Sequence, residues 1–171
     1  ISKDGYVIIS NGEIFNFKAL LKEIQRYSSS ELQGHEVEVI YFLYKKHGES
    51  FLNKLNGMFS LSIYDPKQNS IFVARDRFGI KPLHYYNKNG VFCFSSEISP
   101  LKKSLNGNLN IDSQSVANYF RLGYVSNPNT IYSGIKQLPP GNFIKFSLDD
   151  KKFEMKKWWN FPHKINNELS K

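Results

Sequence analysis

The sequence predicts an α+β domain in which helices pack on antiparallel meanders, and three observations carry that expectation. Apolar residues recur at helical spacing between residues 16 and 55, and the period changes to two after Asn56-Gly57. A further capped helical stretch then gives way to alternating strands from residue 143 onward. The alternating runs are joined by short polar turns, the connections that antiparallel neighbours use. No internal repeat is visible.

The elements follow in order. Tyr6 to Ser10 reads as a buried strand that runs straight into Asn11-Gly12. Asn16 is placed to cap a helix whose apolar positions Leu20, Leu21 and Ile24 share one face, with Ser28-Ser29-Ser30 ending it. Val37, Ile40, Tyr41 and Tyr44 mark a second amphipathic helix, closed by His47-Gly48, a cation and a glycine suited to a helix C-terminus. A short helix is expected around Phe51 to Leu55. Strands come next, Met58 to Tyr64 and Ser70 to Ala74, around the turn Asp65-Pro66-Lys67-Gln68-Asn69. A second hairpin pairs Leu83 to Tyr86 with Val91 to Ser95, and the Asn89-Gly90 step between them supplies positive φ. Asp112 caps a helix through Val116, Tyr119 and Phe120. The strands Phe143 to Ser147 and Phe153 to Trp158, split by Asp149-Asp150, complete a domain over residues 1–159. Residues 160–171 turn polar and read as a linker or cut end.

Composition narrows the classes. With 171 residues, 40% of them hydrophobic and 15% aromatic, the chain can bury a real core, which excludes a disordered tail, a collagen-like fibre and a low-complexity linker. The formal charge of +8 could steer a protein to nucleic acid or anionic lipid. The lysines, however, come as pairs spread between apolar elements (Lys45-Lys46, Lys102-Lys103, Lys151-Lys152, Lys156-Lys157), which reads as a solvated surface and not as a nucleic-acid interface. No apolar run is long enough to span a bilayer, so no membrane role is expected. The single cysteine, Cys93, excludes an intramolecular disulfide and a Cys-rich zinc site and points to a reducing compartment, with a cytoplasmic location expected. The opening Ile1-Ser2-Lys3-Asp4-Gly5 has neither a signal-peptide core nor an initiator methionine, so a segment of something longer is expected.

Chemistry is suggested first by Asn11-Gly12-Glu13, where the buried strand is expected to end before the next helix begins. A side-chain amide and a glycine N–H could both point into a cleft there, and two fixed donors suit an oxyanion, which needs them about 2.7–3.1 Å away. Glycine also admits a substrate close to the backbone, with no Cβ in the way. From local pattern alone, an ordinary strand-to-turn Asn-Gly is the preferred reading of the same residues. Arg75-Asp76-Arg77 has the look of a catalytic triplet, but adjacent opposite charges at a buried strand end are expected to form a structural ion-pair network. Cys93, between aromatics in a strand, is expected to be core packing. No His/Cys/Asp cluster has metal-ligand spacing, and no Gly-rich phosphate loop is present.

Several blocks in order carry a family resemblance: Asn11-Gly12-Glu13-Ile14-Phe15-Asn16, Gly57-Met58-Phe59, Tyr64-Asp65, Ala74-Arg75-Asp76-Arg77-Phe78-Gly79-Ile80-Lys81-Pro82-Leu83, Phe94-Ser95-Ser96-Glu97-Ile98 and Leu138-Pro139-Pro140-Gly141. Together they resemble the glutaminase domain of glutamine-hydrolysing asparagine synthetases over nearly the whole chain. The resemblance implies a class II glutamine amidotransferase of the N-terminal-nucleophile hydrolase fold, a four-layer αββα sandwich of which this segment supplies part. It implies a cysteine at the mature N-terminus that attacks the glutamine side-chain amide, with its own α-amino group as base. Ammonia would pass to a C-terminal synthetase domain of the same chain, where ATP and Mg²⁺ activate aspartate. No cofactor is implied for the present segment, glutamine is the implied ligand, and homodimerisation is left open. A class II amidotransferase with a sugar or phosphoribosyl acceptor, and a non-catalytic interaction module of the same fold, are the rival readings.

By position, the resemblance gives Asn11 and Gly12 to the oxyanion, through a side-chain amide and a backbone N–H. Glu13 would help to hold the α-amino end of glutamine. Glu36 matches a position where the family usually has aspartate, so the substrate carboxylate is one methylene longer here. His35 beside it is expected to be a surface turn residue. Met58 resembles a position near the ammonia tunnel or else belongs to the core. No individual roles are derived for Ser96 and Glu97. Trp158-Trp159 is read either as an interdomain contact or as a strand end. The nucleophilic cysteine and the arginine-containing segment that grips the glutamine α-carboxylate lie upstream in the family and are absent from this sequence, and Cys93 cannot replace the former.

Overall fold

The computed structural model describes residues 2–26, 34–106 and 109–161. Strands β1 (Ser2–Lys3), β2 (Tyr6–Ile14), β3 (Gly57–Asp65), β4 (Ser70–Arg75), β8 (Asn142–Ser147) and β9 (Phe153–Lys157) lie side by side in that order as one antiparallel sheet. A smaller sheet has the order β6 (Val91–Ser95), β5 (His84–Lys88), β7 (Ile135–Gln137). Helices α1 (Phe17–Gln25) and α2 (Glu36–His47) cover one face of the large sheet, and the small sheet covers part of the other. Helix α3 (Ile98–Ser104) packs on β5 and β6. The layers thus run helix, sheet, sheet, helix.

Strand alternation decides what each layer buries. On the helix side, Ile8, Phe59, Leu61, Ile63 and Phe72 meet Leu20, Ile24, Val39, Ile40 and Leu43 in the main core. Each such side chain contributes about 1.5–3 kcal/mol by leaving water. On the opposite face Val73 and Ile144 meet Leu83 and Leu138, forming a second, smaller core under the small sheet. That cover reaches β3, where Ser60 and Ser62 are buried, and stops short of β2. Over these two strands the inter-sheet face carries Val7, Ile9, Asn11, Ser60 and Ser62, and Ile9 is 64% exposed.

Local chemistry explains the turns. Asp65 Oδ1 accepts the backbone N–H groups of Lys67 and Gln68 at 2.9 and 3.2 Å, which closes the β3–β4 turn from inside. Asn89 and Gly90 take φ of 53° and 73° between the paired residues Lys88 and Val91, so the β5–β6 hairpin is a two-residue turn. Helix α2 starts from His35, whose carbonyl accepts the Glu38 N–H at 3.0 Å while the Glu38 carboxylate reaches back to accept from His35 N at 3.3 Å.

The structure corrects several expectations. Strand β2 does not stop at Ser10: it runs to Ile14, because Asn11, Gly12, Glu13 and Ile14 pair with Ser60, Phe59, Met58 and Gly57 of β3. The turn reading of Asn11-Gly12 is therefore overturned. Asn16 sits at the N-cap of α1, but its side chain makes no cap; it accepts from Asn56 N at 3.0 Å and donates to the Lys54 carbonyl at 2.9 Å. The short helix near Phe51 is a 3-10 helix, Gly48–Lys54, that continues directly from α2. Helix α4 (Ser113–Leu122) is capped as expected, with Asp112 Oδ1 accepting from Ser115 N at 2.7 Å, yet Tyr119 and Phe120 are exposed. Strands β1 and β7 and helix α3 are too short to leave a period in the sequence. The proposed end of α1 at residues 28–30 and nearly all of the polar tail at residues 160–171 lie outside the described residues.

Candidate active site

Asn11 projects from β2 on the face that the helices do not cover. It lines a groove of about 250 Å³ between the two sheets, together with Ile9, Ser60, Leu61, Ser62, Leu83, Phe94, Ser95 and Ser96. The groove exists because Ser60 and Ser62 on β3 are small where their partners on β4 are Arg75 and Val73, and because Ile9 on β2 is left exposed beside them. Asn11 Nδ2 donates to Ser96 Oγ at 3.1 Å, a contact from the large sheet to the residue that follows β6. That is its single partner among the described residues, so the second N–H of the amide is uncommitted.

Gly12 has φ of 141°, and a Cβ there would stand 2.0 Å from the Met58 carbonyl oxygen and 2.8 Å from Phe59 Cα. Across the same ladder a Cβ on Gly57 would lie 2.2 Å from the Glu13 carbonyl oxygen. Two glycines let the backbones of β2 and β3 approach at this end of the pair. Gly12 is therefore required by β3 directly, a reason the sequence reading, which invoked an approaching substrate, did not contain. Glu13 is exposed opposite Met58, on the same side of the strand as Asn11 by alternation.

Glu36, the first residue of α2, reaches back to this strand: its Oε2 accepts the Ile14 N–H at 3.2 Å. The structure thus brings Glu36 to the same stretch of β2 as Asn11, Gly12 and Glu13. Glu38 is buried and committed to capping α2, where Oε2 accepts from Gly34 N at 3.0 Å and His35 N at 3.3 Å. His35 is exposed, as expected of a surface residue, and occupies the N-cap position of α2.

Arg75 and Asp76 form no ion-pair network. Asp76 is wholly buried, and its carboxylate accepts four backbone N–H groups, from Phe59, Phe78, Ile80 and Lys81, at 3.0–3.3 Å. The Arg75 guanidinium donates to the carbonyls of Gly79, Lys81 and Leu138 at 2.6–2.7 Å. Adjacent residues in a strand point to opposite faces, so each charge is satisfied by a different stretch of backbone. Arg77 lies 5.3 Å from the Trp158 ring centre, and Trp158 stacks on Phe59 while donating from Nε1 to the Arg75 carbonyl at 3.2 Å. Trp158 therefore belongs to the core edge, while Trp159 meets the exposed Phe78 at 5.1 Å. Cys93 is half-buried on β6 beside Pro100, Leu101 and Ser104 rather than in either core. Met58 is half-buried and Glu97 is exposed at the start of α3.

His84 and Ser96 are the neighbours that local pattern reading did not assign. His84 on β5 holds the Ser96 carbonyl through Nδ1 at 3.2 Å, which makes Nδ1 the protonated nitrogen. Burial pushes the His84 pKa below the ordinary imidazole value, aided by the nearby Arg75 charge and opposed by the hydrogen bonds to Ser96 and Ser95. The Ser95-Ser96-Glu97 block was visible in the sequence; its contact with Asn11, 85 residues away, was not. Among the described residues no three His, Cys, Asp or Glu side chains are grouped to hold a metal ion, and no helix is long and apolar enough to cross a membrane.

Two antiparallel sheets between helical layers, with a polar strand end opening on the gap between them, define an N-terminal-nucleophile hydrolase fold of the class II amidotransferase kind. The same fold is found in a glutamine phosphoribosylpyrophosphate amidotransferase from B. subtilis, with a TM-score of 0.61 at 17% identity, over 92% of this chain and 30% of that one. The allosteric regulatory enzyme of purine biosynthesis shares it at a TM-score of 0.60, also at 17% identity, over 94% of this chain and 29% of that one. At family level, the model of the glutamine amidotransferase domain matches residues 1–159, and the chain belongs to that family. It is 34% identical over 158 residues to a putative glutamine-hydrolysing asparagine synthetase 2 of Methanocaldococcus jannaschii, covering 91% of this chain. It is 33% identical over 158 residues to the glutamine-hydrolysing asparagine synthetase 3 of Bacillus subtilis, covering 92% of this chain. The chain spans only 30% and 25% of the lengths of these two relatives.

Proposed function

We propose that this domain is the glutaminase part of a glutamine-hydrolysing asparagine synthetase, with Asn11 and Gly12 as the oxyanion donors and Glu13 and Glu36 at the α-amino end of glutamine. One observation carries the reading: the Asn11 amide stands over the inter-sheet groove with an uncommitted N–H, on a strand that two glycines hold tightly against its neighbour. Such a donor is fixed before the reaction, so it needs no reorganisation when charge develops on the amide oxygen. Relatives named asparagine synthetases support the acceptor, whereas the likeness to the phosphoribosylpyrophosphate enzyme extends to the fold alone.

In this reading a cysteine at the mature N-terminus of the parent chain supplies the thiol and the α-amino base. Cys93, half-buried within β6 and without a free amino group, has neither the position nor the base to replace it. The 171-residue chain alone would then release no glutamate from glutamine. The small share of the relatives' length that the chain spans supports a synthetase domain in the same polypeptide. That domain would bind ATP and Mg²⁺, and a cytoplasmic location is part of the same proposal.

The experiment is Asn11→Ala in the full-length protein, with turnover measured per titrated active site. A donor that strengthens only in the transition state acts on kcat, so glutamine-dependent kcat should fall by about 10²–10³ with KM moving far less. Asn11 is exposed, so melting should be nearly unchanged. Normal turnover would refute the oxyanion role.

A further inference from the structure

We propose that Ser96 is a positioning residue for the Asn11 amide, holding one of its two N–H groups so that the other is presented to the substrate oxygen. The inference rests on the reading of Asn11 as an oxyanion donor.

Two observations support it. First, Asn11 is an exposed side chain on a groove, with a terminal torsion that is broad by nature, so nothing in its own strand fixes the amide plane. The contact that does so is the 3.1 Å bond from Nδ2 to Ser96 Oγ. Second, Ser96 is itself anchored in the opposite sheet. His84 Nδ1 holds its carbonyl at 3.2 Å, His84 pairs with Ser95 in the β5–β6 ladder, and the next N–H, of Glu97, donates to Ser95 Oγ at 3.2 Å. The chain from β5 through His84 and Ser96 to Asn11 therefore ties the donor on one sheet to the rigid register of the other. A carboxamide has two N–H groups and the Ser96 hydroxyl takes one, which leaves the second available to a ligand in the groove that Asn11 lines. A hydrogen-bonded second layer of this kind keeps a donor within reach of its productive geometry.

The test is a double-mutant cycle in the full-length protein, read as glutamine-dependent glutamate release per active site. Ser96→Ala should lower kcat by about three- to tenfold, the effect of one ordinary hydrogen bond, with the KM for glutamine little changed. Ser96→Thr, which keeps the hydroxyl, should recover most of the loss. In the Asn11→Ala background Ser96→Ala should cost nothing further, since the group it positions is already gone. A serine that merely supports the fold would instead lower turnover, or the melting temperature, equally in both backgrounds, and that result overturns the proposal. Full kcat in Ser96→Ala alongside a strong loss in Asn11→Ala overturns the proposal and leaves the oxyanion reading standing. Full kcat in Asn11→Ala removes both.

Discussion

Two polar clusters lie at the ends of β2 and β4, the strands on either side of β3, and they use their groups in opposite ways. At the end of β4, Arg75 and Asp76 are buried and spend every bond on backbone: four amides on the carboxylate and three carbonyls on the guanidinium. At the end of β2, Asn11, Gly12 and Glu13 are exposed, and Asn11 keeps a donor without a partner among the described residues. Charge in a strand-end motif does not by itself mark chemistry. A buried, saturated cluster holds loops together, because any missing partner there would leave a desolvated polar group; an exposed, undersatisfied one beside a groove is available to a ligand.

The contrast can be broken most forcefully at Asp76. Asp76→Ala leaves four backbone N–H groups at a buried site without their acceptor, so the domain should lose more than about 3 kcal/mol of stability. Denaturant unfolding of the full-length protein measures it, and a loss below about 1 kcal/mol would contradict the clamp role.

Glu36 tests the other cluster. If its carboxylate meets the α-amino group of glutamine, Glu36→Ala in the full-length enzyme should raise the KM for glutamine by about 1.5–3 kcal/mol of lost charge-assisted bonding. Ammonia-dependent synthesis should be spared. An unchanged KM would reduce Glu36 to the acceptor of the Ile14 N–H. Glu38 could not take its place, being already committed to the α2 cap.

Gly12 sits where the two behaviours meet. A Cβ placed 2.0 Å from the Met58 carbonyl at a φ of 141° must push β2 off β3, so Gly12→Ala should cost about 1–3 kcal/mol in stability as well as turnover. A melting temperature equal to wild type, with only KM raised, would return Gly12 to a purely substrate-facing role.

The smallest effect is electrostatic and concerns His84. Its folded pKa lies below the ordinary imidazole value, so the unfolded chain takes up a proton first as pH falls. Stability from this group is fully present above about pH 6.5 and declines as pH drops toward the lowered folded pKa. Melting temperatures taken between pH 7.5 and 5.5 should therefore fall, and His84→Gln should flatten the slope in part. His47, also lowered by burial and by Lys54 and Lys46, supplies a slope of the same sign. An unchanged slope in His84→Gln would show that His84 titrates alike in both states.

What the sequence determined alone is local or repeated. The β3–β4 turn is written in Asp65 and the residues that follow it, and the β5–β6 turn in Asn89-Gly90, because those backbones depend on residues within a few positions. Periods of 3.6 and two placed α2, β3, β4 and β8, and ordered blocks along the chain placed the family and brought Asn11, Gly12, Glu13 and Glu36 forward as candidates. Only the tertiary structure decided that Asn11-Gly12 lies inside a strand, since the pairing that extends β2 comes from residues 57–60. It also decided that Asn16 bridges to Lys54 and Asn56 instead of capping α1, that Asp76 serves amides instead of arginines, and that Ser96 meets Asn11. The physical reason is common to all four. Each is a polar group choosing among partners distant in sequence, and that choice is made by which strands and loops come together, not by any preference of the residue itself.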